Sequence, residues 1–118
     1  MAAAAQKHSV TIILENLNRT GTNFLNTLHE AADVVRKVAH PSLRLNADIY
    51  HMLKEGESPE EIRKAGDLII YSEIAEKESR TLPGVEGDDF KPYLQAWKDI
   101  GFKGPIIIEG KVNALHTE

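Results

Sequence analysis

Four acidic residues occupy comparable places along this chain, each at the end of a short apolar segment. Glu15, Asp48, Glu73 and Glu109 follow the segments VTIIL, LRLNA, LIIYS and PIII, at separations of 33, 25 and 36 residues. These gaps bracket the ~30 residues of a β-α-β unit. Because the C-terminal ends of parallel strands lie at the same edge of a sheet, we expect the four acids to converge there.

Converging carboxylates repel one another unless a cation lies between them or some of them hold protons. A divalent cation with oxygen ligands, such as Mn²⁺ or Mg²⁺, explains this pattern economically. The pattern alone leaves open a second interpretation, in which the acids are helix caps or solvated loop residues.

Two further polar residues are predicted to lie at the same edge. His51 comes three residues after Asp48, and Arg80 precedes Pro83-Gly84 in the loop after the third apolar segment. Taken alone, a histidine after a strand is typical of a surface or capping residue, and a loop arginine is typical of a solvated charge. Their interest depends on their position beside the four acids.

The apolar segments predict strands, and amphipathic stretches between them predict helices. The first apolar segment, Val10–Leu14, is rich in β-branched residues and suggests a strand buried on both faces. The resulting order β-α-β-α-β-α-β predicts an α/β fold with a parallel sheet. The predicted strands are Val10–Leu14, Leu43–Asp48, Leu68–Glu73 and Pro105–Glu109.

Capping signals delimit the predicted helices. In the first, Asn26–Val38, Thr27 and Glu30 have the spacing of a capping box. Ser58-Pro59 begins a short second helix that ends at Gly66. The third starts from Asp88 or Asp89 and runs to Ile100, with Leu94, Trp97 and Ile100 expected to form its buried stripe.

Length and composition exclude several classes of protein. The 118 residues correspond to one domain, predicted over residues 1–118, with a net charge of −4. No cluster of Lys and Arg supports nucleic-acid binding, and no apolar run approaches the ~20 residues that span a bilayer. There is no cysteine, which excludes disulfides and thiolate chemistry. Since no secretory signal is visible, a cytoplasmic location is the expectation.

Taken together, the motifs resemble those of the xylose-isomerase-like sugar isomerases and epimerases, a family that includes ketose 3-epimerases and hydroxypyruvate isomerase. No single motif suffices, but their order and spacing cover nearly the whole chain. The matching segments are LENLNR (14–19), NFLNT (23–27), NADIYHM (46–52), IAEKESR (74–80) with LPG (82–84), and IIIE (106–109).

The resemblance implies a half-barrel: strands five to eight of a (βα)8 barrel, which needs ~250 residues when complete. It also implies a divalent metal, Mn²⁺ or Mg²⁺, bound by Glu15, Asp48 and Glu109. The fourth family ligand is a histidine, and its position falls on Glu73. A carboxylate can still bind these metals, so the predicted ligand set is Glu15, Asp48, Glu73 and Glu109.

The implied chemistry is proton transfer next to the carbonyl of a small sugar, through an enediolate. Glu15 and Glu109 would be the catalytic pair that moves the proton, and His51 and Arg80 would contact substrate oxygens. Another chain would complete the barrel, either a second copy in a homodimer or a chain that supplies the other half. The alternative is a non-catalytic half-barrel, acting as a binding or assembly subunit or standing as a truncated relative of such an enzyme; Glu73 favours this alternative.

Overall fold

The computed structural model describes residues 1–112 of the chain. The last six residues of the predicted single domain, which belong to the tail that starts at Gly110, lie outside this range. No helix within residues 1–112 has the length and hydropathy needed to cross a membrane. The elements in chain order are α1 (Ala2–Lys7), β1 (Ile12–Glu15), α2 (Leu28–Val38), β2 (Leu43–Asp48), α3 (Ile49–Glu55), α4 (Glu60–Ala65), a 3-10 turn (Gly66–Leu68), β3 (Ile69–Ile74), α5 (Lys91–Asp99) and β4 (Ile106–Ile108).

The strands form one parallel sheet in the order β1-β2-β3-β4, so the predicted α/β class is confirmed. Asp48 pairs with Glu73 across β2 and β3, and Glu73 pairs with Ile107 across β3 and β4. Because paired residues of a parallel sheet point to the same side, this register aligns the polar ends of neighbouring strands. The sequential strand order is that of half a barrel.

Helices cover one face of the sheet and create the hydrophobic core there. Leu28 and Ala31 of α2, Leu45 and Ala47 of β2, and Ile62 of α4 have no exposed surface. The spacing of Leu28 and Ala31 brings them to one face of the helix, and alternation along β2 sends Leu45 and Ala47 to the same side of the sheet. The opposite side of β2 therefore carries Asn46 and Asp48.

A modified capping box begins α2. The Thr27 hydroxyl accepts a hydrogen bond from the Glu30 N–H at 3.1 Å, as the spacing predicted. The Glu30 carboxylate reaches back to the N–H of Asn26 at 2.8 Å, one residue before the cap. Helical geometry therefore begins at Leu28, two residues later than expected.

The predicted buried stripe of the last helix is partly wrong. Leu94 is 44% exposed, whereas Tyr93, Ala96 and Trp97 are buried. The helix begins at Lys91, whose backbone N–H donates a hydrogen bond to Asp89 Oδ1 at 3.0 Å. Residues at positions 93, 96 and 97 then lie over the core, and position 94 lies beside that stripe.

The helix α3 is missing from the sequence-based prediction. It begins immediately after β2 and is capped by Asp48, whose side chain accepts the Tyr50 N–H at 2.9 Å. It ends at Glu55, and the next residue, Gly56, has the positive φ of +67° that favours glycine. At seven residues the helix is too short for a clear periodic signal. It positions His51 one turn after Asp48.

The two outer strands are less buried than expected. Ile13 of β1 is 40% exposed, and all three residues of β4 are exposed, Ile108 to 56%. Within residues 1–112 each of these strands has a neighbour on one side only. The prediction of a first strand buried on both faces is therefore wrong for this chain alone, because both faces of a parallel strand are covered only where its neighbours are in place.

Candidate functional site

The C-terminal edge of the sheet brings all four predicted acids together. One carboxylate oxygen from each of Glu15, Asp48, Glu73 and Glu109 lies within 4.8 Å of the others. We refer to these four side chains as the acid cluster. Glu15 and Asp48 are the last residues of β1 and β2. Glu73 is the last residue but one of β3, and Glu109 directly follows β4. Parallel strand direction and register are what produce the convergence.

Asp48 is the most enclosed member of the acid cluster, at 1% exposure. Its Oδ1 accepts the Tyr50 N–H that caps α3. Its Oδ2 is buried and accepts no hydrogen bond from an N–H or hydroxyl donor within residues 1–112, which leaves the carboxyl group of Glu15 as the neighbour that can donate to Asp48. The nearest basic atoms to Oδ2 are His51 Nε2 at 3.6 Å and Arg80 Nη2 at 3.7 Å, both beyond hydrogen-bond distance.

Arg80 lies at the edge of the acid cluster. Its Nη2 is 2.6 Å from Glu109 Oε2, and its guanidinium group lies over the Tyr50 ring at 4.5 Å from the centroid. The residue adopts a positive φ of +54°, which a side chain other than glycine rarely takes. A backbone hydrogen bond of 2.6 Å from the Lys111 N–H to the Arg80 carbonyl supports this conformation.

His51 is buried on α3 beside the acid cluster. Its Nδ1 accepts the backbone N–H of Asn18 at 2.9 Å, and its Nε2 faces Asp48. Burial lowers the pKa of His51, and the nearby charge of Asp48 opposes that effect without overcoming it. The structure thus places both predicted substrate-contact residues, His51 and Arg80, against the cluster.

Burial, together with the neighbouring carboxylates, raises the pKa of Glu15 to about 8. Burial is the largest cause, followed by a hydrogen bond that protonated Glu15 donates to Asp48 and by repulsion from Glu73, Asp48 and Glu109. At neutral pH Glu15 therefore holds a proton unless a cation replaces it.

Glu73 and Glu109 form a second hydrogen-bonded pair with the proton on Glu73. Burial, together with the hydrogen bond to Glu109, raises the pKa of Glu73 to about 7. The pKa of Glu109 is lowered, because it accepts that hydrogen bond and lies against the Arg80 guanidinium. Near neutral pH Glu15 therefore holds a proton and Glu73 holds one about half of the time, which reduces the repulsion within the cluster.

The arrangement fits a divalent cation bound by oxygen atoms. The acid cluster offers carboxylate oxygens that lie within 4.8 Å of one another. Carboxylate oxygens are the donors that Mg²⁺ and Mn²⁺ prefer. The unpartnered Oδ2 of Asp48 is a buried acceptor that such a cation would satisfy.

Comparison with known proteins agrees with this geometry. The model of the xylose isomerase-like TIM barrel matches residues 1–117. The chain belongs to the xylose isomerase-like TIM-barrel family. The L-ribulose 3-epimerase of Methylomonas sp. strain DH-1 is 34% identical over 110 residues, and the ketose 3-epimerase of Arthrobacter globiformis is 30% identical over the same length. The predicted family resemblance is thereby confirmed.

The family members are longer than this chain. Both epimerase matches cover 92% of the 118 residues but 38% of the relative. The crystal structure of a D-allulose 3-epimerase from Methylomonas sp. superimposes with a TM-score of 0.84 at 33% identity, covering 95% of this chain and 39% of that one. The predicted half-barrel fold is confirmed by this match and by the four parallel strands.

Glu76 belongs to the site region, although its place in the segment IAEKESR did not by itself predict a role there. It is fully buried, and its carboxylate accepts the N–H groups of Gly84 (2.6 Å), Glu86 and Asp88 (both 3.1 Å). Burial raises the pKa of Glu76, but these N–H donors outweigh it and the pKa is lowered. Glu76 therefore ties down the loop that carries Arg80.

Asn46 is a second residue whose place the sequence analysis missed. Its side-chain amide donates a hydrogen bond to the Glu73 carboxylate, which lowers the pKa of Glu73 against the stronger effect of burial. Asn46 precedes Asp48 by two residues on a strand, so both side chains lie on the same side of the sheet. A polar residue two positions before the acid that ends the strand is the signal that could have identified it.

We expect the free energy of unfolding of the metal-free protein to fall as the pH rises from 6.5 to 8. Glu15 and Glu73 have pKa values of about 8 and about 7 in the folded chain and 4.5 as isolated side chains. Their stabilising contribution is therefore complete below pH 4.5 and is lost as the pH rises through their folded values. Above its ordinary pKa of 6.5, His51 is largely neutral in both states.

Urea denaturation at a series of pH values measures this slope. Glu15→Gln removes the titrating group with the higher pKa and should reduce the slope by roughly two-thirds. Asp67→Asn, an exposed change at the opposite end of β3, should leave it unaltered. A stability that is flat or rises with pH over this range contradicts the assignment of protons to Glu15 and Glu73.

Proposed function

We propose that this chain forms half of a metal-dependent sugar isomerase or epimerase, and that it catalyses proton transfer next to a sugar carbonyl once another chain completes the barrel. The observation that carries the proposal is the acid cluster, whose oxygens lie within 4.8 Å of one another beside His51 and Arg80. The L-ribulose 3-epimerase and ketose 3-epimerase relatives support a small sugar as the substrate class.

The acid cluster would hold the metal through Glu15, Asp48, Glu73 and Glu109. When bound, Mn²⁺ or Mg²⁺ supplies a positive charge that polarises the substrate carbonyl and offsets the negative charge developing on its oxygen. Asp48 is suited to holding the metal without moving a proton, since it is enclosed and its Oδ1 is committed to capping α3.

Glu15 and Glu109 would move the proton. Glu109, whose pKa is lowered, is ionised and can accept the proton from the carbon beside the carbonyl. The C–H electron pair then forms the C–C double bond of an enediolate as the carbonyl π electrons move to oxygen. Glu15 would return a proton to carbon from the other side. Glu15 and Glu109 come from the ends of the first and last strands of the sheet, so the two groups can reach the substrate from different directions.

His51 and Arg80 would bind and orient substrate oxygens. His51 Nε2 and Arg80 Nη2 both lie within 4 Å of Asp48 Oδ2, so they face the same point at the edge of the acid cluster. The Arg80 guanidinium group is planar and presents several N–H donors, which suits neighbouring hydroxyl oxygens. The Tyr50 ring beneath it and the loop held by Glu76 limit its movement.

Completion of the barrel is a further part of the proposal. The apolar residues exposed on β1 and β4 support it, because unpaired edges of a parallel sheet favour pairing with another strand. Two copies related by a two-fold axis can pair β1 of one with β4 of the other and close eight strands. A different chain carrying the remaining β-α units would cover the same edges.

A non-catalytic half-barrel is the second candidate function, and Glu73 favours it. A fourth carboxylate in place of the histidine expected from the resemblance adds negative charge to the cluster and removes an imidazole ligand. A chain altered in this way could retain the fold and an assembly role, binding metal or a partner chain without turning over a sugar.

Exchange of substrate hydrogen with solvent tests the proposed reaction. Incubation of the protein with Mn²⁺ and small ketoses in D₂O should place deuterium on the carbon next to the carbonyl, detected by NMR. Glu109→Gln should slow this exchange by roughly 100-fold or more, because it removes the base. Asp67→Asn serves as the matched control. Metal binding without exchange would favour the second candidate, and the absence of both would contradict the proposal.

Replacing Glu73 by histidine should strengthen the binding of Mn²⁺ or Co²⁺. Imidazole suits these metals, and the change removes one of four like charges. We expect affinity to rise on the order of tenfold, with a smaller effect on Mg²⁺, which prefers oxygen. Glu73→Gln is the control, since it removes the charge without adding imidazole. Calorimetric titration that finds equal or weaker Mn²⁺ binding in Glu73→His than in the native chain would argue against a metal ligand at this position.

The isolated chain should form homodimers or larger assemblies through its outer strands. Sedimentation or light scattering at micromolar concentration should give at least twice the 13.1 kDa chain mass. Ile108→Lys places a charge on the exposed edge of β4 and should shift the protein toward monomer. Val85→Lys, an exposed apolar site in a loop, should leave the assembly intact. A well-folded native monomer would overturn closure by a second copy.

A further inference from the structure

The surroundings of His51 allow two different cation sites in this chain. Beside the acid cluster, a second group of possible ligand atoms comes from Glu15, Asp48 and His51, again all within 4.8 Å of one another. This second group would supply an imidazole nitrogen, the ligand type that Glu73 does not provide. The two groups share Glu15 and Asp48, so the state of the His51 ring decides between them.

The hydrogen bonds at Nδ1 define that state. The backbone N–H of Asn18 donates to His51 Nδ1 at 2.9 Å, and both groups are buried. A backbone N–H can only donate, so Nδ1 has to present its lone pair and carries no hydrogen.

The side chain of Asn18 adds a second donor at the same nitrogen. Its Nδ2 lies 2.8 Å from His51 Nδ1. The orientation of this amide is set by its other end, where Oδ1 accepts the backbone N–H of Thr20 at 3.0 Å. Because Thr20 N–H must donate to oxygen, the amide nitrogen is the end that faces the ring.

The ring hydrogen of neutral His51 therefore lies on Nε2. A protonated Nε2 has no lone pair for a metal but has an N–H to donate. This N–H faces Asp48 Oδ2 at 3.6 Å, toward the acid cluster. The three side chains of the second group are therefore close enough to share a metal ion, but the His51 nitrogen that faces the others has no lone pair to donate.

We propose that Asn18 is a positioning residue that fixes His51 in the Nε2–H tautomer, which makes His51 a hydrogen-bond donor to a substrate oxygen and excludes it from metal coordination. The part of this inference that concerns the substrate rests on the proposed function. The part that concerns the metal does not, because it selects the acid cluster over the alternative that contains His51 whether or not a sugar is turned over.

The loop that carries Asn18 is fastened to the same helix that carries His51. The next residue, Arg19, donates its backbone N–H to Glu55 Oε1 at 2.7 Å and places its Nε 3.0 Å from Glu55 Oε2. His51 and Glu55 are four residues apart on α3, so they lie on one face of the helix. Two contacts one turn apart hold Asn18 in register with the His51 ring.

Long-range ¹H–¹⁵N NMR of the labelled protein at neutral pH tests the tautomer, with His51→Gln used to assign the signals. We expect Nδ1 to show the shift of an unprotonated ring nitrogen and Nε2 that of a protonated one. The pattern should persist when Mg²⁺ or Zn²⁺ is added, although Zn²⁺ readily binds imidazole. A proton on Nδ1, or loss of the Nε2 proton on adding either metal, would overturn the proposal.

Two variants of Asn18 separate its backbone from its side chain. Asn18→Ala retains the backbone N–H and should keep the Nε2–H tautomer. Asn18→Pro removes both donors and should allow the Nδ1–H tautomer to appear, with the Trp97 indole signal as a check of folding. An unchanged tautomer in folded Asn18→Pro would refute the role of Asn18. If that variant does not fold, the native spectrum still decides the tautomer.

Metal affinity provides an independent arm of the test. His51→Gln should bind Mn²⁺ within about threefold of the native chain, whereas Asp48→Asn should weaken binding by on the order of tenfold or more. Equal losses in the two variants would mean that His51 is a ligand. Neither measurement requires sugar turnover. The metal affinities therefore test the role of His51 even if the proposed catalytic function is wrong.

Discussion

Repulsion among carboxylates at the end of a parallel sheet is the constraint around which the rest of this structure is arranged. Strand direction and register bring four carboxylate oxygens within 4.8 Å of one another. The buried Oδ2 of Asp48 accepts no hydrogen bond from an N–H or hydroxyl donor in residues 1–112. Such a group is stable only if protons or positive charge offset it. Protons on Glu15 and Glu73 and the guanidinium of Arg80 provide that compensation in the chain itself.

Several buried polar residues around the acid cluster make hydrogen bonds that organise the site. The buried Glu76 carboxylate organises the loop that carries Arg80 by accepting backbone N–H groups of that loop. Asn46 takes a place where an apolar strand residue would be ordinary and donates to Glu73. Asp48 both caps α3 and faces the cluster, so the helix that carries His51 starts from a member of the site. Fold and site are therefore coupled through a small number of polar contacts.

The same architecture explains why the outer strands remain exposed. Half of a closed barrel has a covered face, where α2 and α4 pack, and two edges that lack a second neighbour within the described part of the chain. The match to 38% of the length of two epimerases agrees with this geometry. The exposed apolar residues of β4 lie on one of these open edges.

Much of the fold could be predicted from the sequence, because its signals are local. Apolar segments that end in acids predicted four strands, alternating amphipathic stretches predicted a parallel sheet, and parallel strands brought Glu15, Asp48, Glu73 and Glu109 to one edge.

Other features required the tertiary structure. The seven-residue helix α3 is too short for a periodic signal, and the exposure of Leu94 depends on where α5 begins. The proton on Glu15 and the hydrogen on His51 depend on the distances to Asp48 and Asn18, which lie 33 residues away along the chain in each case. Residue types and spacing could therefore predict which groups meet, whereas the protonation of each group depends on burial and hydrogen bonds that form only when the sheet has folded.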